Sequence, residues 1–209
     1  MEIKTLKLGI NAVNCYIINN GDEGAIIDPG SEQELDSILA ELDREHYNYK
    51  YIINTHAHFD HIGANRKLQE ITGAQIAVHQ EDAEALGDPA LNSSAMAGKE
   101  ITSPPADIIL TDSEEIELGN NILKVYHTPG HSPGGIVIYS PREEVLFSGD
   151  TIFRGGVGRT DLPGSESSEL EKSLEKINKL FSGKVKVYPG HGGTTTIKEF
   201  FDHVYPQIY

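Results

Sequence analysis

Four side chains able to hold a cation crowd into one short stretch, Thr55-His56-Ala57-His58-Phe59-Asp60-His61. In an extended segment side chains alternate, so His56 and His58 project to the same side and can grip one ion. Asp60 and His61 are adjacent and point elsewhere; at the start of a helix they can hold a second ion nearby. Three further loops follow a similar plan. Thr128-Pro129-Gly130-His131-Ser132-Pro133-Gly134 presents one imidazole from a turn stiffened by Gly and Pro. Ser148-Gly149-Asp150-Thr151 offers a carboxylate and Tyr188-Pro189-Gly190-His191-Gly192 another imidazole. Singly, each of these is also what an ordinary strand-end cap or turn looks like. Together the four loops carry about as many imidazoles and carboxylates as two five- or six-coordinate divalent ions need. Such a pair acidifies a shared water and polarises a carbonyl, the equipment of a hydrolase.

Each loop needs a strand before it. Residues 13–19 and 24–28 read as short β-branched or aromatic strands joined through Asn20-Gly21-Asp22, after an N-terminal segment that also alternates like a strand. Ser31 and Glu34 form a capping-box pattern before Leu35, Ile38, Leu39 and Leu42, spaced as one helix face. Tyr51–Asn54 reads as a buried strand running into the histidines, followed by a helix over about 60–70 and a strand at Gln75–His79. Residues 87–105 show neither period and carry three prolines; they read as a loop over a site or as a plain surface connection. Further strands are expected near 107–111, 121–127, 134–140, 144–148 and 185–188. Ser168 and Glu171 are expected to open a helix over 168–182, and a short helix closes the chain at 197–205. Two β-rich halves with amphipathic helices suggest two packed sheets with helices outside, in one domain over 1–209.

The chain has 209 residues and a formal charge of −15, from 17 basic and 32 acidic side chains. That balance argues against binding nucleic-acid phosphates or an anionic membrane surface. No apolar run approaches the ~18 residues of a membrane span, and the N-terminus lacks an apolar signal core. The single cysteine, Cys15, forbids an internal disulfide and reads as a small buried residue, and a cytoplasmic location follows as an expectation. His127 alternates away from the His131 turn and reads as packing; His46, His79 and His203 read as surface or strand-end residues.

The set His56, His58, Asp60, His61, His131, Asp150 and His191 resembles the metallo-β-lactamase-fold hydrolases. Within them it is most similar to the glyoxalase-II-type thioester hydrolases (hydroxyacylglutathione hydrolases), above all the short bacterial forms. The likeness runs from Asn14-Cys15-Tyr16 and Ile27-Asp28-Pro29-Gly30 through Gly149-Asp150-Thr151-Ile152-Phe153 to Pro189-Gly190-His191-Gly192. It implies an α/β fold, the four-layer αββα sandwich. It also implies that His56, His58 and His131 hold one metal, that Asp60, His61 and His191 hold the other, and that Asp150 bridges them. The ions would be zinc, with iron or manganese as alternatives, sharing a hydroxide that attacks the thioester. A protonated Asp60 or water would serve the leaving thiolate. Asp28 resembles the family's carboxylate behind a ligand imidazole, and Arg159 its basic residue facing the anionic end of a thiol conjugate.

The function implied is hydrolysis of a small-molecule thioester of the S-lactoylglutathione type. The tail after His191 is too short for the helical extension with which longer members grip glutathione, which leaves the carrier thiol open. Two readings compete: a lactonase on the same dinuclear site, and a mononuclear iron persulfide dioxygenase. A β-lactamase is set aside, because those of this fold are mostly exported and lack a bridging Asp at the Asp150 position.

Overall fold

The computed structural model describes residues 1–9, 11–42 and 46–208. Two six-stranded sheets form the centre. The first is built from β1 (Glu2–Leu8), β2 (Val13–Asn20), β3 (Glu23–Ile27), β4 (Asn48–Ile53), β5 (Gln75–His79) and β6 (Ile108–Leu110), adjacent in that order. The first three pair antiparallel through short turns, whereas β3 to β6 run parallel. Parallel neighbours need crossovers. Helix α1 (Leu35–Glu41) lies between β3 and β4, and α2 (Phe59–Ile62) and α3 (Asn65–Thr72) lie between β4 and β5. The second sheet holds β7 (Glu115–Leu118), β8 (Asn121–His127), β9 (Ile136–Ser140), β10 (Val145–Gly149), β11 (Lys186–Pro189) and β12 (Thr195–Thr196), again neighbours in sequence order. Helix α4 (Ser167–Leu180) makes the crossover from β10 to the parallel β11, and α5 (Ile197–His203) and α6 (Tyr205–Ile208) end the chain.

Side-chain alternation turns these sheets into layers. In β2, Tyr16 and Ile18 face Phe147, Val125 and Ile138 of the second sheet in an apolar seam between the sheets. The intervening Cys15 and Ile17 face the other way and pack with Ile38 and Leu68 of the first sheet's helices. Likewise Leu146 and Val187 turn outward onto Leu170, Leu174 and Ile177 of α4. The result is the four-layer αββα sandwich. Cys15 is buried within it, and burial pushes its thiol well above the usual range. No helix among the described residues is long and apolar enough to cross a membrane.

Several elements differ from the sequence reading, each for a local reason. β7, a four-residue strand, and the two-residue β12 are too short to stand out as patterns. The helix expected over 60–70 is two, broken at Gly63–Ala64. Ser31 accepts from the Gln33 amide and starts a 3₁₀ turn over Glu32–Glu34 rather than a reciprocal capping box. Helix α4 is capped by Glu166, whose carboxylate accepts from the Ser168 amide. The reciprocal box forms instead at α5, between Thr196 and Glu199.

Candidate metal centre

The chemistry-bearing loops gather at the ends of β4, β8, β10 and β11, all interior strands of the two sheets. Three sets of potential ligand atoms each lie within 4.8 Å of one another: His56, His58 and His131; His56, His61 and Asp150; and Asp60, His61 and His191. Nδ1 of His58 is 2.9 Å from Nε2 of His131, and Nε2 of His61 is 3.3 Å from Nε2 of His191. Asp150 sits between the groups. Its Oδ2 lies 3.5 Å from the Nε2 atoms of both His131 and His191, and its Oδ1 is 3.6 Å from Nε2 of His61. Asp60 Oδ2 is 3.7 Å from His191 Nε2.

Hydrogen bonds behind the imidazoles set which nitrogen faces the pocket. His131 Nδ1 donates to the carbonyl of Arg159 at 2.8 Å and His191 Nδ1 to the carbonyl of Asn11 at 2.9 Å, since a carbonyl can only accept. Thr55 has one hydroxyl proton and gives it to Asp28 Oδ2 at 2.6 Å; His56 Nδ1 therefore donates to Thr55 Oγ1 at 3.1 Å. In all three rings Nε2 is left as a lone pair, the form a metal ligand needs. Asp28, in a left-handed conformation at φ 50°, also accepts from the Thr55 amide and lies 3.1 Å from His61 Nδ1. Its carboxylate thus orients the start of the histidine loop and one of its rings together.

Electrostatics favour a cation here. Burial, followed by the neighbouring imidazoles, holds His56 well below the usual histidine range, and burial then His131 bring His58 down to about 3, so both are neutral. Burial also opposes charge on His61, but the carboxylates of Asp28, Asp150 and Asp60 outweigh it and lift that ring to about 10. Three carboxylates around one buried ring make a negative locus that a divalent ion can occupy by displacing the proton. The Nε2 of His56 and Oδ1 of Asp150 are buried with no hydrogen-bond partner, which ligation would supply. A Cβ at Gly190 would lie 2.1 Å from Asp150 Oδ1 and 2.9 Å from His61 Cε1, so only glycine leaves these ligand atoms room. The donor set fits two divalent ions.

Asp60 departs from its expected role. Burial pushes its carboxyl up, but His61, His191 and the amide of Asn11 prevail and hold it below the ordinary carboxylate range. It is a carboxylate, and the part of proton donor to a leaving group does not suit it. Arg159 lies on the cavity wall, yet its exposed guanidinium forks onto Asp161, while its backbone carbonyl holds His131. His127 stacks on His79, ring centroids 3.9 Å apart, and reaches the Pro133 carbonyl rather than the centre.

A cavity of about 600 Å³ opens over the ligands. Besides His58, Asp60, His131, Asp150 and His191, its walls include Phe59, Phe153, Val157 and Leu162, and from the 87–105 segment Ser93, Met96 and Ala97. That segment therefore does wall the site, tied down by the Phe59 amide donating to Asn92 O at 3.0 Å.

The sequence reading missed Asp82. Its buried carboxylate accepts from the amides of Ala57 and Gly134 and from the Ser132 hydroxyl, at 2.9, 2.6 and 2.9 Å. One side chain thereby clamps the His56–His58 loop to the His131 turn. A Cβ on Gly134 would sit 2.7 Å from the Asp82 carboxyl carbon, so glycine is what lets the two approach. The available signal was an acid just past the C-terminal end of a parallel strand, where sites gather in α/β sheets.

A sequence model of the metallo-beta-lactamase superfamily matches residues 8–191. The crystal structure of BLEG-1, a B3 metallo-beta-lactamase, is 39% identical, covers 97% of both chains and superposes with a TM-score of 0.90. TTHA1623, solved in a di-iron-bound form, is 34% identical with a TM-score of 0.84, covering 96% of this chain and 98% of its own. The hydroxyacylglutathione hydrolase GloC of Haemophilus influenzae is 30% identical over 94% of this chain and 93% of its own length.

Proposed function

The chain belongs to the metallo-beta-lactamase superfamily, and from that premise we propose that it is a dinuclear-metal hydrolase acting on thioesters of the S-lactoylglutathione type. The observation that carries the reading is the pairing of two three-residue ligand groups with Asp150 between them. His56, His58 and His131 would hold one ion, Asp60, His61 and His191 the other, and Asp150 would reach both. The di-iron form of TTHA1623 supports two occupied positions; His/Asp donors accept zinc, iron and manganese alike. The name of GloC supports the thioester, which ligand geometry alone does not specify.

Two divalent ions supply an acidified water and a positive field for the carbonyl oxygen. The protein does the rest. The carbonyls of Arg159 and Asn11 and the Thr55–Asp28 pair lock the imidazole tautomers, so little reorganisation is needed at the moment of reaction. Phe59, Phe153, Val157 and Leu162 give the cavity apolar walls against which an acyl group displaces water. Hydrolysis forms a C–O bond at the carbonyl carbon and breaks C–S. A thiolate, with a conjugate-acid pKa of ~8.5, leaves without prior protonation. The ionised state of Asp60 is therefore no obstacle.

Arg159 remains the proposed contact for an anionic group on the thiol. Arg159→Ala is expected to raise KM for S-lactoylglutathione by roughly fivefold or less, as for the loss of one solvent-screened charge contact. kcat should change less than about twofold, because such a contact is made equally in ground and transition states. If the guanidinium serves only Asp161, neither constant moves.

The function is tested by following free-thiol release from S-lactoylglutathione with metal-loaded protein against a chelated control. Metal-dependent release supports the proposal. The likeness to BLEG-1 favours one second reading, opening of a β-lactam or a lactone at the same centre. Ring opening without thiol release would establish that reading instead.

A further inference from the structure

We propose that Asn14 is a positioning residue for the second ligand group: its side-chain amide brackets the turn that carries His191 and so sets where that imidazole meets an ion. The proposal rests on the two-ion reading above and is independent of the substrate.

Side chains alternate along β2, so Asn14 falls on the same face as Tyr16 and Ile18, toward the second sheet. There β11 ends and the Pro189-Gly190-His191-Gly192 turn begins. Asn14 is 1% exposed, and a polar side chain so deeply buried must have its groups taken up by partners. Its Nδ2 donates to the Pro189 carbonyl at 2.8 Å and to the Gly192 carbonyl at 3.0 Å. Its backbone amide donates to the Gly190 carbonyl at 2.7 Å. One residue of the first sheet thus holds the chain on both sides of His191.

The partners fix which way the amide points. Carbonyls only accept, so the nitrogen end faces them and both of its protons are used. The opposite atom, Oδ1, is buried with no hydrogen-bond partner among the described residues. That is a cost, and it is tolerated for two donors carried on one nitrogen. A serine or threonine in the same place would offer one proton for two carbonyls.

The turn's surroundings give the bracket its purpose. His191 Nδ1 donates to the Asn11 carbonyl, which fixes the ring's rotation, and Val13 pairs with His191 in an isolated antiparallel bridge. Where the ring sits depends on the backbone beneath it. Gly190 runs so close to Asp150 that a Cβ would lie 2.1 Å from Oδ1, and its amide donates to the Gly149 carbonyl at 2.7 Å. A shift of the turn therefore moves His191 Nε2 relative to Asp150 and Asp60, now 3.5 and 3.7 Å away. Among the described residues Asn14 neither lines the cavity nor hydrogen-bonds to His56, His58 or His131. Its influence falls on the Asp60, His61 and His191 group.

The test measures both metal affinities, by competition with a chromophoric chelator, in wild type, Asn14→Ala, Asn14→Asp and Tyr16→Phe. A His191→Ala reference, which keeps the first ligand group intact, assigns the two steps. Asn14→Asp has the same shape but sets carboxylate oxygens against the two carbonyls. Both Asn14 variants should bind the ion at the Asp60, His61 and His191 group about tenfold more weakly, as when a partner behind a ligand is lost. The His56, His58 and His131 group should stay within about twofold of wild type. Tyr16→Phe controls for general loosening between the sheets, since the Tyr16 hydroxyl donates to the Pro189 carbonyl and leaves Gly192 to Asn14. It should lower the melting temperature yet hold both affinities within about threefold. If neither Asn14 variant folds, the small Asn14→Ser, which keeps one donor, should show the same selective loss at about threefold. Equal losses at both groups, no loss at either, or the same selective loss in Tyr16→Phe overturn the proposal. A wild type that saturates at one ion contradicts the two-ion reading and this proposal with it; two ions in wild type with unsplit affinities in the variants contradict the role of Asn14 alone.

Discussion

An Asp150→Ala variant is expected to carry at most one divalent ion per chain where two are expected in the parent, and to hydrolyse thioesters roughly 10³-fold more slowly, the scale of losing a group that organises charge stabilisation. The reason is geometric. Asp150 is the side chain whose two oxygens face both ligand groups, Oδ2 at 3.5 Å from His131 and His191 and Oδ1 at 3.6 Å from His61. A neutral imidazole has one lone pair and cannot take its place; a carboxylate can span ions ~3.5–4 Å apart. Metal content and turnover should therefore fall together, as read by elemental analysis and thiol release on the same preparation. Full occupancy of both positions in the variant would refute the bridging role even if activity were lost.

Asp82→Ala should produce the next largest effect, and a selective one. Three donors, the Ala57 and Gly134 amides and the Ser132 hydroxyl, lose their common acceptor. Each buried donor left unpaired costs about 1–3 kcal/mol, so the melting temperature falls. Metal affinity at the His56, His58 and His131 group should drop ~10–100-fold, as when a partner behind the ligands is removed. The Asp60, His61 and His191 group, held by Asp28 and the Asn11 carbonyl, should keep its ion. A competition titration against a chromophoric chelator resolves the two affinities. Unchanged affinities, or an equal loss at both groups, would show that Asp82 does not act through the loops it joins.

How far the sequence foretold these residues depended on the range of the interaction. His56 and His58 were legible because alternation along one extended segment is a property of neighbours. Helix α4 was legible from the spacing of Leu170, Leu174 and Ile177, which the structure buries together against the second sheet. Its start was misread, because Ser168 and Glu166 are both plausible caps and only the approach of Glu166 to the α4 amides decides between them. Asp82 was not legible: its role needs three backbone segments to converge, and its acid looks like any polar residue after a strand. The lowered carboxyl of Asp60 was not legible for the same reason, since His191 reaches it from a distant part of the sequence. Ser93 lay in a segment without periodicity, and its left-handed backbone is a fact of the fold.

The account stands on a coupled pair of ions held by loops from both sheets. The most direct measurement is the metal-to-protein ratio of the folded, metal-reconstituted chain by native mass spectrometry. Two divalent ions per chain is the predicted result; a chain that saturates at one ion, or binds none, contradicts it.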